Sequence, residues 1–275
     1  MIGCDLSMIH SILFVLTLLT TLIAGAIQQG VNLLETPGGI WHGIPFSFTL
    51  LVILAAHEFG HYFMARHHEV DVTLPYFIPA PSFIGTFGAF IKMRSPLLDR
   101  RMLLDIGASG PVAGLAVALP VIVVGFTLSE VRPVAAESGM SLGSSLLFSL
   151  LGWIVHGSLP GDMDIVLHPI AFSGWIGLLV TCLNLLPVGQ LDGGHVAYAV
   201  LGRRQRLLAR MIFAMLIILG ITSWLGWLIW AAILYIMGLD HPPVIYEWVP
   251  LDKRRRVIGW ASMAIFFLTF TPAPF

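Results

Sequence analysis

Residues 46–65 read FSFTLLVILAAHEFGHYFMA, a run long and apolar enough to cross a bilayer. Inside it stand His57, Glu58 and His61. Polar groups at membrane depth are costly to keep, so a cluster of them there marks a functional site. The spacing is that of a zinc site. On a helix, residues four apart share one face, about 40° around and about 6 Å along the axis. Both imidazoles can then reach one ion, with Glu58 beside them as a candidate general base.

The rest of the chain agrees with a membrane setting. Of 275 residues, 57% are hydrophobic and 11% are charged. Such a composition describes an all-α polytopic membrane protein rather than a soluble domain. The net charge of −1 says nothing about nucleic acid, and no basic stripe suggests it as a partner. Cys4 and Cys182 form neither a disulfide framework nor a zinc-ribbon spacing. No repeat or appended soluble domain interrupts the sequence, which reads as one integral membrane domain over 1–275. The N-terminus lacks the marks of a secretory signal or transit peptide, so a prokaryotic plasma membrane is expected.

Apolar runs predict helices near 11–28, 46–65, 106–127, 168–187, 207–222, 224–238 and 257–271. Residues 142–156 are apolar but short. Gly220, Ser223 and Gly226 leave the pair at 207–238 open between a turn and a kink. Charge arbitrates between them. Arg66, Lys92, Arg94, Arg100 and Arg101 form one basic group, and Arg203, Arg204, Arg206 and Arg210 a second. Lys253, Arg254, Arg255 and Arg256 form a third, leaving only Arg132 apart. About seven spans with a cytoplasmic N-terminus put all three groups inside, as the positive-inside rule expects. His57 and His61 then lie in the cytoplasmic half of an inward-running helix. The fourth helix also runs inward, so the segment after it arrives at similar depth.

That segment is NLLPVGQLDGGH, residues 184–195. Catalytic zinc usually takes three protein ligands and leaves one position open. Asp192 is the best third candidate, since topology delivers it to the same side. Pro187 ends regular helix, and Gly193-Gly194 lets the backbone fold closely around the carboxylate. Asn184, on that topology, is level with the histidines.

HEFGH together with a downstream N-x-x-P-x-x-x-x-D-G resembles the site-2 protease family of intramembrane zinc metalloproteases. The match runs from about residue 46 to 200, taken as the catalytic core. GASGPVAG (residues 107–114) resembles that family's small-residue helix between the two catalytic helices. LPYFIPAPSFIGTFGAFIKMRSP (74–96) is similar to the longer loop of its plastid and cyanobacterial-type branch. The sequence carries neither the PDZ nor the CBS domains of some members, and Gly189 stands where many have proline.

The resemblance implies one Zn²⁺ per chain on His57, His61 and Asp192, with Glu58 activating water and Asn184 stabilising the oxyanion. It also implies that 74–96 forms a membrane-associated β-hairpin or re-entrant loop. The prolines and glycines there exclude a normal helix, and residues 86–93 suit an edge strand to which an unwound substrate segment adds. The implied activity is intramembrane endopeptidase, acting on transmembrane proteins within the lipid. Its competitors are a metal-ion transporter or channel, and an inactive zinc-binding membrane chaperone. His195 is a weaker candidate for the layer behind the ligands. His67 and His68 read as solvated, His241 as interfacial, and Trp224, Trp227 and Trp230 as an aromatic belt.

Overall fold

A computed structural model describes residues 2–133 and 141–275, with side chains from Met8 onward. The fold is mostly helical (64%), with two small antiparallel sheets among the described residues. The helices are α1 (Ile2–Gln28), α2 (Ile44–His67), α3 (Arg100–Thr127), α4 (Leu146–His156), α5 (Pro169–Asn184), α6 (Asp192–Leu201), α7 (Gln205–Thr222), α8 (Gly226–Met237) and α9 (Lys253–Thr269).

Several begin before their apolar runs because a cap extends them. Asp99 accepts from the Arg101 and Met102 amides at the start of α3. Asp252 accepts from Arg255 N at the start of α9. Both caps satisfy amides that a helix start leaves unpaired.

Four segments among the described residues are long and apolar enough to cross a membrane: Met8–Gln28, Pro37–His67, Arg100–Thr127 and Asp192–Thr222. Four of the expected seven are thus borne out by length, and the others are not confirmed. Helix α5 has only 16 residues and α8 only 12, and α9 opens on its basic run. The 207–238 region is two helices, α7 and α8, packed on each other. Their turn is tight: a Cβ on Gly220 would lie 2.5 Å from Leu228 Cγ.

Helix α3 is the hub, packing on α2, α5, α6 and α9. One core cluster joins Phe46, Leu50 and Ile53 of α2 with Ala118, Ile122 and Phe126 of α3 and Trp175, Ile176 and Leu178 of α5. With no water to expel in lipid, close backbone approach through small residues does much of this work. The GASGPVAG segment is such a surface. A Cβ on Gly110 would sit 2.0 Å from His61 Nε2, and one on Gly107 2.8 Å from His195 Cβ.

The 74–96 loop is a hairpin, as the family resemblance implies. Strand β1 (Tyr76–Pro79) pairs antiparallel with β2 (Thr86–Phe90), Tyr76 opposite Phe90 and Phe77 opposite Ala89. The register breaks between Ile78 and Pro79. Side chains of α1 hold the hairpin: Thr20 Oγ1 donates to Gly85 O at 2.6 Å and Gln28 Nε2 to Phe83 O at 2.6 Å. A second small sheet, β3 (Glu130–Pro133) with β4 (Met163–Val166), has no counterpart in the sequence expectations.

Trp227 departs from the belt expectation. It is fully buried, and its Nε1 donates to Pro272 O at 2.7 Å, because the segment after α9 folds back over α8. Cys182 is a buried free thiol.

Candidate metal centre

Three donor atoms from two helices converge. His57 and His61 lie one turn apart on α2, and Asp192 is the first residue of α6. His57 Nε2 is 3.2 Å from His61 Nε2 and 3.2 Å from Asp192 Oδ2. His61 Nε2 is 3.1 Å from Asp192 Oδ2. A tetrahedral zinc with bonds of about 2.0–2.1 Å needs its donors about 3.3 Å apart, so these residues fit that ion.

His57, Glu58 and His61 are buried, being 3%, 5% and 6% exposed, and Asp192 is half-buried. One nitrogen's role follows from its partner. His61 Nδ1 lies 2.8 Å from Ile106 O, and a carbonyl only accepts, so Nδ1 carries the proton. That leaves the His61 Nε2 lone pair facing the triad, the arrangement metal-binding histidines use.

Asn184, the last residue of α5, brings Nδ2 to 3.1 Å from His57 Nε2. The five sequence-selected residues therefore come from the end of α5, the start of α6 and one turn of α2. Glu58 faces the hairpin, with the backbone amide of Ile91, just past β2, near its carboxylate. The loop that the sequence marks as non-helical thus touches the candidate base.

The D-G-G turn is tight because it packs on carbonyls. A Cβ on Gly193 would lie 2.0 Å from Leu185 O, so only glycine lets α6 start this close to the end of α5.

Two further clusters have no signal in the sequence. His68, expected to be solvated, brings Nε2 to 3.0 Å from Asp105 Oδ2. Arg255 Nη2 donates to the same oxygen at 2.7 Å, tying the ends of α2, α3 and α9 together. His241, expected at an interface, is buried and meets His195 inside the protein, Nε2 to Nδ1 at 2.8 Å. Burial holds His241 below the usual imidazole range, which keeps it neutral. The basic groups share this end of the molecule. Arg100 Nε donates to Ala199 O, Arg101 Nε to Pro250 O, and Arg203 pairs with Glu247.

The model of peptidase family M50 matches residues 45–225. The chain is 31% identical over 238 residues to the probable zinc metalloprotease EGY1, chloroplastic, of Arabidopsis thaliana, covering 83% of this chain and 43% of that one. Rice (Oryza sativa subsp. japonica) EGY1 is 34% identical over 166 residues, 58% of this chain and 28% of that one. Arabidopsis EGY2 is 26% identical over 238 residues, 85% of this chain and 42% of that one. The chain thus spans less than half the length of these relatives. No solved structure matches it.

Proposed function

The chain belongs to peptidase family M50, and from that premise we propose that it is a zinc endopeptidase cutting peptide bonds in or near transmembrane segments of other membrane proteins. The convergence of His57 Nε2, His61 Nε2 and Asp192 Oδ2, each 3.1–3.2 Å from the next, carries this reading. These three would hold the zinc. When bound, it supplies Lewis acidity at a site that helices otherwise seal from solvent.

Glu58 accepts the proton of the attacking water and returns it to the leaving amine. The Ile91 amide lies beside that carboxylate on the hairpin side. Asn184 donates from Nδ2 to the oxyanion that grows on the scissile carbonyl. Beside Glu58, β2 offers an edge to which an unwound substrate segment adds as a strand, placing its peptide bond near the base. The chemistry occupies the core at 46–200, in one membrane domain spanning 1–275.

The same reading extends to topology. The separation of α7 from α8 and the basic side chains gathered at one end support seven spans with that end in the cytoplasm. His61 lies six residues before the α2 C-terminus at His67, so the site opens toward it.

The test is reconstitution of the purified protein with a panel of single-span substrates, comparing it with Glu58→Gln. Both should bind zinc, and only the unaltered protein should cleave. Equal cleavage by the variant would sink this reading. So would zinc flux without proteolysis, the outcome for a transporter. Zinc binding with no cleavage by either protein would leave the inactive chaperone.

A further inference from the structure

Asp192 opens a helix of ten residues, too short to hold its own position. Around it, residues 238–252 between α8 and α9 form a strap. Gly189 N donates to Leu239 O at 2.9 Å. Gly189 has φ +55°, and a Cβ there would lie 2.4 Å from Gly238 O, so backbone meets backbone. Gln205, fully buried, donates to Pro187 O at 3.3 Å and accepts from His241 N at 3.4 Å.

The inward end of the strap is His241. Its Nδ1 lies 2.5 Å from Pro242 O and must donate to that carbonyl. Its Nε2 therefore accepts, and His195 Nδ1 is the donor across 2.8 Å. Tyr198 stacks on the same imidazole, centroids 4.5 Å apart and planes at 22°, and gives its hydroxyl proton to Glu247 at 2.6 Å. The strap is anchored elsewhere too, where Tyr246 N donates to Leu98 O at 2.8 Å beside the α3 cap. His195 and Tyr198 are successive turns of α6, so His241 grips that helix at two points.

We propose that His241, backed by Gln205, is a positioning residue for the metal centre: through His195 it fixes the rotation of α6 and so the direction in which Asp192 presents its carboxylate. This rests on the reading of Asp192 as third ligand. The lever is large. A carboxylate about 5 Å from a helix axis moves about 2 Å for a rotation of about 20°. Ligand distances tolerate about 0.2 Å. His195 follows Asp192 by three residues, so both lie near one face of α6 and turn together.

The experiment uses the full chain in detergent and reads zinc affinity by chelator competition, together with the visible spectrum of the cobalt-substituted protein. His241→Leu should keep its helical circular dichroism, weaken zinc by about 10–100-fold and shift the cobalt bands. His241→Gln, whose amide oxygen accepts from His195 in place of the imidazole nitrogen, should return affinity to within a few-fold. Zinc binding within twofold and an unchanged cobalt spectrum in His241→Leu would overturn the proposal. If that variant does not fold, Gln205→Leu carries the same expectation. Asp192→Ala, run in parallel, separates the two levels. Full zinc affinity there removes the ligand reading itself. Lost affinity there, with His241→Leu and Gln205→Leu unaffected, removes only the positioning role.

Discussion

Around the triad, helices meet at glycine; around the hairpin, they meet at polar side chains. Gly60 of α2 sits where a Cβ would lie 2.7 Å from Ser109 O, and Gly110 leaves the space that the His61 ring fills. Backbone in contact with backbone has no rotamer to adjust. The hairpin instead hangs from α1 by Thr20 and Gln28, with His10 Nδ1 donating to Pro75 O at 3.1 Å. Phe87 at its edge is 77% exposed. Each such clasp is worth about 1 kcal/mol net, small enough to exchange for the substrate contact proposed above. Tight geometry is thus built into the metal centre and adjustable grip into the edge beside it.

That contrast can be broken at either end. The largest effect is expected from Gly110→Ala, whose methyl would displace the His61 ring; zinc affinity should fall about a hundredfold or more. An unchanged chelator competition curve would show that the rigidity lies elsewhere. Asn184→Ala should leave zinc within a few-fold and lower cleavage about 10²–10³-fold, the usual cost of one oxyanion donor. Equal losses of zinc and activity would make Asn184 a packing residue instead.

On the hairpin side, Ala89→Pro removes a strand amide and should slow cleavage about tenfold with zinc intact. Unchanged cleavage would retire the edge-strand idea. The smallest effect belongs to Thr20→Val. Losing one clasp of about 1 kcal/mol should raise proteolytic nicking near residues 82–85 and change cleavage about fivefold at most. Loss of zinc in that variant would mean the two regions are not separable.

The two regions also differ in how legible they are in sequence. His57 and His61 are readable because helical period alone puts them on one face. Asp192 is reachable because the charge distribution indicates which end of the membrane it returns to. The hairpin is readable as non-helix from Pro75, Pro79, Pro81 and Gly85, but its register is not. Backbone partners leave no trace: any residue at 106 supplies the carbonyl used by His61. His68, His241 and Trp227 mislead a sequence reading for one reason. Each flanks or sits near a helix end, where solvent or lipid is the default neighbour, and each is covered by chain arriving from far along the sequence. Helix α6 escapes notice because ten residues hold too little apolar period to announce a helix.

The order of the donors along the chain bears on how the molecule is made. Asp192 follows His61 by 131 residues, and the strap that grips its helix comes later still. A chain emerging from the ribosome therefore presents both histidines and Glu58 for that whole interval before the proposed third donor is made. On the proposed reading, hydrolytic competence would arrive only once Asp192 and the strap have emerged, which would make the order of synthesis itself a safeguard against a half-made site.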